Sequence, residues 1–140
     1  MHRLTPKIPA LLAGALVALV LAGPGVGRSN ESVTCSSTSV PRDSFGRPII
    51  LTGTWIGSDR QPYSLRQIGS CLWWAGAKGR SNVFFGTIFG STVTGQWADL
   101  STTTIATSGR LTLLISSSMR GLSRRSSTGV FTTRSWKKTS

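Results

Sequence analysis

From residue 50 onward, apolar and polar side chains alternate in short runs that are separated by turn residues. In the run YSLRQI, Tyr63, Leu65 and Gln67 fall on one side, and in GRLTLLIS the side chains of Leu111 and Leu113 share a face. A period of two sends successive side chains to opposite faces, so each run predicts a half-buried β-strand. The two-residue Gly-Ser connections at 69–70 and 90–91 predict tight hairpins.

Eight such runs follow one another with short connections. They are Leu51–Gly57, Tyr63–Ile68, Cys71–Ala77, Asn82–Phe89, Thr92–Ala98, Gly109–Ser116, Met119–Arg125 and Gly129–Trp136. Hairpins make neighbouring strands antiparallel, and closing the sheet removes its two unpaired edges. Residues 50–140 are therefore predicted to form an all-β domain, an eight-stranded antiparallel up-and-down meander barrel. A β-sandwich is the alternative.

The first 27 residues follow a different pattern. A short positive segment with Arg3 and Lys7 precedes an uncharged apolar run of 16 residues, Ile8–Gly23, and small residues follow at 25–27. This order is typical of a signal peptide, and the run is short of the roughly 20 residues of a spanning helix. We predict a secreted protein with cleavage near Gly27, and an uncleaved membrane anchor is the alternative.

Residues 28–49 are polar, lack periodicity and predict an irregular N-terminal arm. The arm contains Cys35, and the only other cysteine is Cys71 in the third predicted strand. Outside the cytosol such a pair is commonly a disulfide, which would hold the arm against the domain. Two unpaired thiols are the alternative.

The chain is strongly basic, with a formal net charge of +12. Without Arg3 and Lys7 of the leader, 14 basic side chains remain against 4 acidic ones, which gives about +10. Such a charge favours an anionic partner, and for an exported protein an anionic surface is a better candidate than nucleic acid. The other interpretation is that the charge only keeps the protein soluble.

Candidate catalytic groups are scarce. The only histidine, His2, lies in the leader, so the mature chain has no imidazole for general base catalysis, a catalytic triad or a zinc site. Asp59 and Asp99 lie in different predicted connections, and a barrel could bring them to one rim as a paired-carboxylate site. We interpret their placement as coincidence and predict a protein that is not an enzyme and that has no cofactor and no metal.

Aromatic residues offer better candidates. Trp73 and Trp74 are adjacent, so in a strand one must point inward and the other outward. The outward ring would contact a sugar, a lipid interface or a protein, or it would be covered by the arm. The candidate ligand-binding residues are Trp55, Tyr63, Trp73, Trp74 and Trp97. The alternative role of the inward rings is to fill the core.

The opening of the first strand, Gly53-Thr54-Trp55, resembles the Gly-x-Trp signature of the calycins, which include lipocalins, fatty-acid-binding proteins and avidins. The resemblance implies that Trp55 seals one end of a barrel and that Arg134, from the last strand, packs over it. Residues 51 to 115 also resemble a family of uncharacterised secreted bacterial proteins, through Gly-Thr-Trp, Tyr-x-x-Arg-Gln-Ile-Gly, Trp-Trp and Gly-Thr-Ile followed by Trp-Ala-Asp. The chain departs from lipocalins in having no room for a helix after Trp136, and from avidins because their biotin-binding polar set does not align.

Two functions follow as expectations. The first is a secreted, lipocalin-like barrel that binds a small apolar or sugar-like ligand at its mouth. The second is an extracellular protein-interaction module, resembling an enzyme inhibitor or associated with the cell envelope, whose barrel is filled by its own side chains. An empty, aromatic-lined mouth would favour the first function, and a filled interior would favour the second.

Overall fold

A computed structural model describes residues 34–76, 81–100 and 105–140, and the predicted leader and residues 28–33 lie outside these ranges. Its strands are β1 (Gly53–Gly57), β2 (Pro62–Ile68), β3 (Cys71–Gly76), β4 (Ser81–Phe89), β5 (Thr92–Leu100), β6 (Ile105–Ile115), β7 (Gly121–Ser127) and β8 (Ser135–Lys138). Each strand pairs antiparallel with the next, and β8 pairs with β1 to close the barrel. The prediction of an all-β, eight-stranded antiparallel meander barrel is confirmed.

The alternation in the sequence becomes an inside and an outside. In β2, Tyr63 and Leu65 are buried, whereas Ser64 and Arg66 are exposed. The same parity holds in the neighbouring strands because the paired registers keep inward residues opposite inward residues. The buried apolar side chains that form one cluster are Ile49, Leu51, Trp55, Tyr63, Leu65, Leu72, Trp74, Phe84, Ile88, Val93, Trp97, Leu111, Leu113, Ile115, Leu122, Phe131 and Trp136.

Two inward glycines make room for the large rings of this cluster. Gly86 and Gly95 face each other across β4 and β5, and the Phe84 ring lies over both. A Cβ added to Gly86 would lie 2.5 Å from Phe84 Cζ, and one added to Gly95 would lie 2.7 Å from the same atom. The barrel accommodates its aromatic side chains because these positions carry no side chain of their own.

The two ends of the barrel differ. One end, which we call the arm end, carries the turns at Gly69–Ser70, Gly90–Ser91 and 116–120 together with arm residues 34–52. The polar end is the opposite one, with residues 58–61 and 128–134. At the turns of the arm end Gly69 and Gly90 have φ values of +57° and +53°. This left-handed conformation suits glycine and tight hairpins.

The arm closes the barrel at its end. Ile49 and Leu51 are fully buried in the core cluster although they precede the first strand. Gln67, at an inward position of β2, binds both: its Oε1 accepts the Leu51 N–H at 2.8 Å, and its Nε2 donates to the Ile49 carbonyl at 2.8 Å. The second donor bond of Nε2 goes to the Gly69 carbonyl at 2.9 Å. Gln67 therefore fixes the arm where it enters the barrel.

A covalent bond also holds the arm. Cys35 and Cys71 form a disulfide with a Cα–Cα distance of 5.0 Å, which confirms the predicted pairing. Next to it, Ser70 N–H donates to the Ser36 carbonyl at 2.8 Å, and Ser36 N–H donates to Ser70 Oγ at the same distance. Both described cysteines are therefore used to join the arm to the β2–β3 turn.

Two stretches differ from the sequence-based boundaries by more than two residues. The connection 99–108 between the fifth and sixth predicted strands is rich in serine and threonine, yet β5 continues to Leu100 and β6 begins at Ile105. Pairing with β4, which continues to Asn82↔Asp99 and Ser81↔Leu100, extends the ladder beyond the point at which local composition predicts a loop. Predicted strand 129–136 is also shifted, because β8 runs only from Ser135 to Lys138.

The shift of β8 has a visible cause. Gly129 has a φ of +75°, and the chain then turns so that Phe131 and Thr133 are buried at the polar end. The Arg124 guanidinium donates to the Phe131 carbonyl and holds this segment in place. Within the described ranges, no helix has the length and apolar character needed to cross a membrane.

Candidate functional site

Four of the five candidate aromatic residues lie inside the barrel. Trp55, Tyr63, Trp74 and Trp97 are each at most 4% exposed. Trp74 is central: its ring centroid lies 4.4 Å from that of Phe84 and 5.8 Å from that of Tyr63. These rings bury one another, so they form a continuous core in the described part of the barrel.

Two aromatic residues outside the candidate set complete this core. Trp136 stands 5.2 Å from Trp74 between ring centroids, and Phe131 stands 4.8 Å from Trp97. Phe131 comes from the irregular segment before β8, so strand periodicity does not reveal that it points inward. At these distances edge-to-face and tilted ring pairs stabilise the packing beyond the burial of apolar area.

A polar network lies above the rings at the polar end. Asp59 Oδ2 accepts hydrogen bonds from the Tyr63 hydroxyl at 2.7 Å and from Thr133 Oγ1 at 2.8 Å. The Tyr63 and Thr133 hydroxyl oxygens lie 3.1 Å apart. Burial raises the pKa of Tyr63 well above its ordinary value, and the hydrogen bond and charge of Asp59 act in the same direction. Tyr63 is therefore a donor that remains protonated.

A second chain of hydrogen bonds lies at the same end. Trp74 Nε1 donates to Asn82 Oδ1 at 2.7 Å, and Asn82 Nδ2 donates to Asp99 Oδ1 at 2.7 Å. Gly76 lies between the two chains, since a Cβ there would be 3.0 Å from Tyr63 and 3.4 Å from Asn82. Asp59 and Asp99 thus reach the same end of the barrel, and each is already hydrogen-bonded to a core side chain.

The fifth candidate, Trp73, points outward, which confirms the expected division of the Trp73–Trp74 pair. It is 37% exposed and contacts Phe85, which is 39% exposed, in a tilted ring pair with centroids 5.1 Å apart. The register places Arg66 next to Trp73, Gln96 next to Phe85, and Arg110 next to Gln96. We call this outward row across five strands the wall row. Its members are Arg66, Trp73, Phe85, Gln96 and Arg110.

The wall row combines an apolar centre with cationic ends. Two rings in contact lie in the middle, an arginine lies at each end, and the row contains no carboxylate. Tryptophan and arginine are the residues most enriched in the energetically dominant parts of protein interfaces. The arrangement fits a partner surface that has an apolar contact and acidic groups on either side.

The pair implied by the calycin resemblance is not brought together by the register. Trp55 lies opposite Lys138, four residues beyond Arg134, and its Nε1 donates to the Leu51 carbonyl at 2.9 Å. Arg134 is exposed at the polar end, where its backbone N–H donates to Ser58 Oγ at 2.9 Å. Trp55 does lie at the arm end of the core, next to the residues that close it.

Metal chemistry has no support in the described ranges, which contain no group of three or more histidine, cysteine or acidic residues close enough to hold an ion. No family model, no curated protein and no solved structure matches the chain. The resemblances to calycins and to secreted bacterial proteins therefore stay predictions. The candidate sites stand on geometry alone: the polar network, the wall row and the arm end.

Proposed function

We propose that the protein is a secreted, non-enzymatic interaction module that contacts an extracellular protein through the wall row. The observation that carries this proposal is the filled interior. The side chains of Trp55, Tyr63, Trp74 and Trp97, which would line a cavity for cargo, are buried against each other and against Phe84, Phe131 and Trp136. A barrel filled in this way presents its binding groups on the outside.

The wall row supports the choice of surface. Trp73 and Phe85 are large apolar side chains that remain exposed although the core has buried their strand neighbours. Arg66 and Arg110 flank them and favour a partner with acidic groups around an apolar contact, since electrostatic complementarity steers association. The disulfide fits an extracellular setting, where such bonds persist.

The test compares two side chains of similar exposure on the outer wall. Trp73→Ala removes a ring of the wall row, whereas Leu114→Ala removes an apolar side chain that is 38% exposed on β6. Each variant, tagged and exported by the native host, is used to isolate bound extracellular proteins. The proposal predicts a partner that is retained by the unaltered chain and the Leu114 variant and is lost with the Trp73 variant. Equal retention by all three chains, or no partner at all, contradicts it.

A second candidate function is supported by the polar network. Asp59 and Asp99, two of the acidic residues in the described ranges, lie at one end together with Tyr63 and Asn82. Their acceptor oxygens would suit a small ligand rich in hydroxyl or amide donors, as expected of a sugar-like ligand at the mouth. Native mass spectrometry of protein purified from its host separates the two functions. A stoichiometric adduct that Asp99→Asn abolishes supports this second function.

A further inference from the structure

The arm end carries several exposed large apolar side chains, two of them on turns. Phe45 is 79% exposed at the tip of the arm loop 42–48, and Phe89 is 85% exposed beside the Gly90 turn between β4 and β5. The remaining exposed apolar residues at this end are Val40, Ile50 and Ile68. Isolated exposed apolar residues need no explanation, but a group at one end of a molecule marks a contact surface.

Hydrogen bonds order the backbone of the two turns that carry these phenylalanines. Asp43 Oδ1 accepts the backbone N–H groups of Phe45 and Arg47, both at 2.9 Å, which shapes the loop around Phe45. On the other side, Ile115 N–H donates to the Ser91 carbonyl at 2.8 Å and ties the β4–β5 turn to β6. Both rings therefore project from hydrogen-bonded turns.

The two projections belong to one surface. A groove of about 130 Å³ beneath the arm loop is lined by Phe45 and Ile49 from the arm, by Ser91 from the β4–β5 turn, and by Ile115 and Met119. Ser91 lies two residues from Phe89, so the arm loop and the hairpin tip stand on either side of this groove. The side chains of Phe45 and Phe89 can therefore insert together into one apolar environment.

The arm end carries more cationic side chains than carboxylate side chains. The cationic side chains of the arm end are Arg42, Arg47, Arg120 and Lys138. They face a single carboxylate side chain among the described residues of this end, Asp43, which is paired with Arg47 at 2.7 Å. The other described carboxylates, Asp59 and Asp99, lie at the polar end. The arm end is therefore cationic as well as apolar.

We propose that the arm end binds to the surface of an anionic lipid membrane, with Phe45 and Phe89 inserted at the level of the headgroups. Aromatic rings surrounded by cations match this interface, because the rings enter the boundary of the acyl region while lysine and arginine attract anionic headgroups. Rings that project from exposed turns fit a deformable bilayer better than a preformed protein pocket. The inference goes beyond the proposed function and uses a face distinct from the wall row.

The experiment measures co-sedimentation of the chain, in the form that an exporting host produces, with lipid vesicles. Vesicles of equal parts phosphatidylcholine and phosphatidylglycerol are compared with vesicles of phosphatidylcholine alone. The test variant is Phe45→Ser with Phe89→Ser, and the matched control is Phe85→Ser, which removes a phenylalanine from the wall on the same strand as Phe89. Unfolding midpoints confirm that each variant is folded.

The proposal predicts binding to the anionic vesicles that falls about tenfold or more in the tip variant and is unchanged in the Phe85 variant, because only the tips insert. Raising the salt from about 0.1 M to about 1 M weakens binding, since the Debye length falls from about 10 to about 3 Å. No binding by the unaltered chain, or equal loss in both variants, overturns the proposal. The proposal is also overturned if the arm end binds an acidic protein and does not bind vesicles. None of these results affects the test of the wall row.

Discussion

The contact between Gln67 and the arm gives the sharpest prediction on stability. Gln67→Met keeps the length and apolar stem of the side chain but removes its amide. Three hydrogen bonds are lost, to Leu51 N–H and to the carbonyls of Ile49 and Gly69. Ile49 and Leu51 are fully buried, so the backbone groups of these two residues have no access to water once Gln67 is lost.

The size of the effect follows from these bonds. A hydrogen bond contributes about 1 kcal/mol net, and leaving a buried partner unsatisfied costs about 1–3 kcal/mol, so the free energy of unfolding should fall by about 3 kcal/mol. Urea titration followed by tryptophan fluorescence measures this, with an unchanged slope if only stability is altered. The matched control is Gln96→Met, a glutamine on the outer face of β5, which should change stability by less than about 0.5 kcal/mol. Equal effects of the two substitutions would refute the idea that the arm is part of the fold.

Two further predictions concern the disulfide and the single tyrosine. The Cys35–Cys71 disulfide closes a loop with a sequence separation of 36, so on the chain-entropy estimate its reduction should lower the free energy of unfolding by about 4 kcal/mol. Urea titration with and without reductant measures this loss. A loss below about 1 kcal/mol would contradict the prediction. Burial raises the pKa of Tyr63 in the folded chain, so the unfolded state releases its proton first, and stability should be lost as the pH rises above the unfolded value of about 10. Tyrosinate absorbance reports only on this residue, because the chain has one tyrosine, and its appearance in the folded protein at or below pH ~10 would show that the hydroxyl is not buried.

The strands and their inward faces could be predicted because both depend on local alternation. Trp74 is inside and Trp73 outside, as adjacency in a strand requires, and Leu111 and Leu113 are both buried as expected. The disulfide was also predictable, since a chain with two cysteines offers one pairing. These features need no knowledge of which strands are neighbours.

The bonds that close the two ends could not be predicted in the same way. Gln67 has an inward position that the alternation of β2 reveals, but its partners lie in an arm whose path is set by tertiary contacts. Asn82 and Asp99 meet only because the register of β4 with β5 places them opposite each other. Side chains of this kind carry no periodic signal, and their partners are remote in sequence.

Polar composition also misled the strand boundaries. The Ser/Thr-rich stretch 99–108 resembles a loop when its residues are taken alone, yet β5 and β6 extend into it because backbone pairing with β4 and between the two strands continues. Phe131 shows the opposite case. It reaches the core from an irregular segment, and no period in the sequence marks it as inward.

The central claim is that aromatic side chains fill the interior of the described part of the barrel and that Trp73 is its one solvent-facing tryptophan. Fluorescence quenching by acrylamide, compared between the unaltered chain and Trp73→Phe, tests this claim most directly. Trp55, Trp74, Trp97 and Trp136 are each at most 3% exposed, so the variant should lose nearly all of the quenchable emission. An equally quenchable variant would contradict the account, because it would show that water and small solutes reach the inner rings.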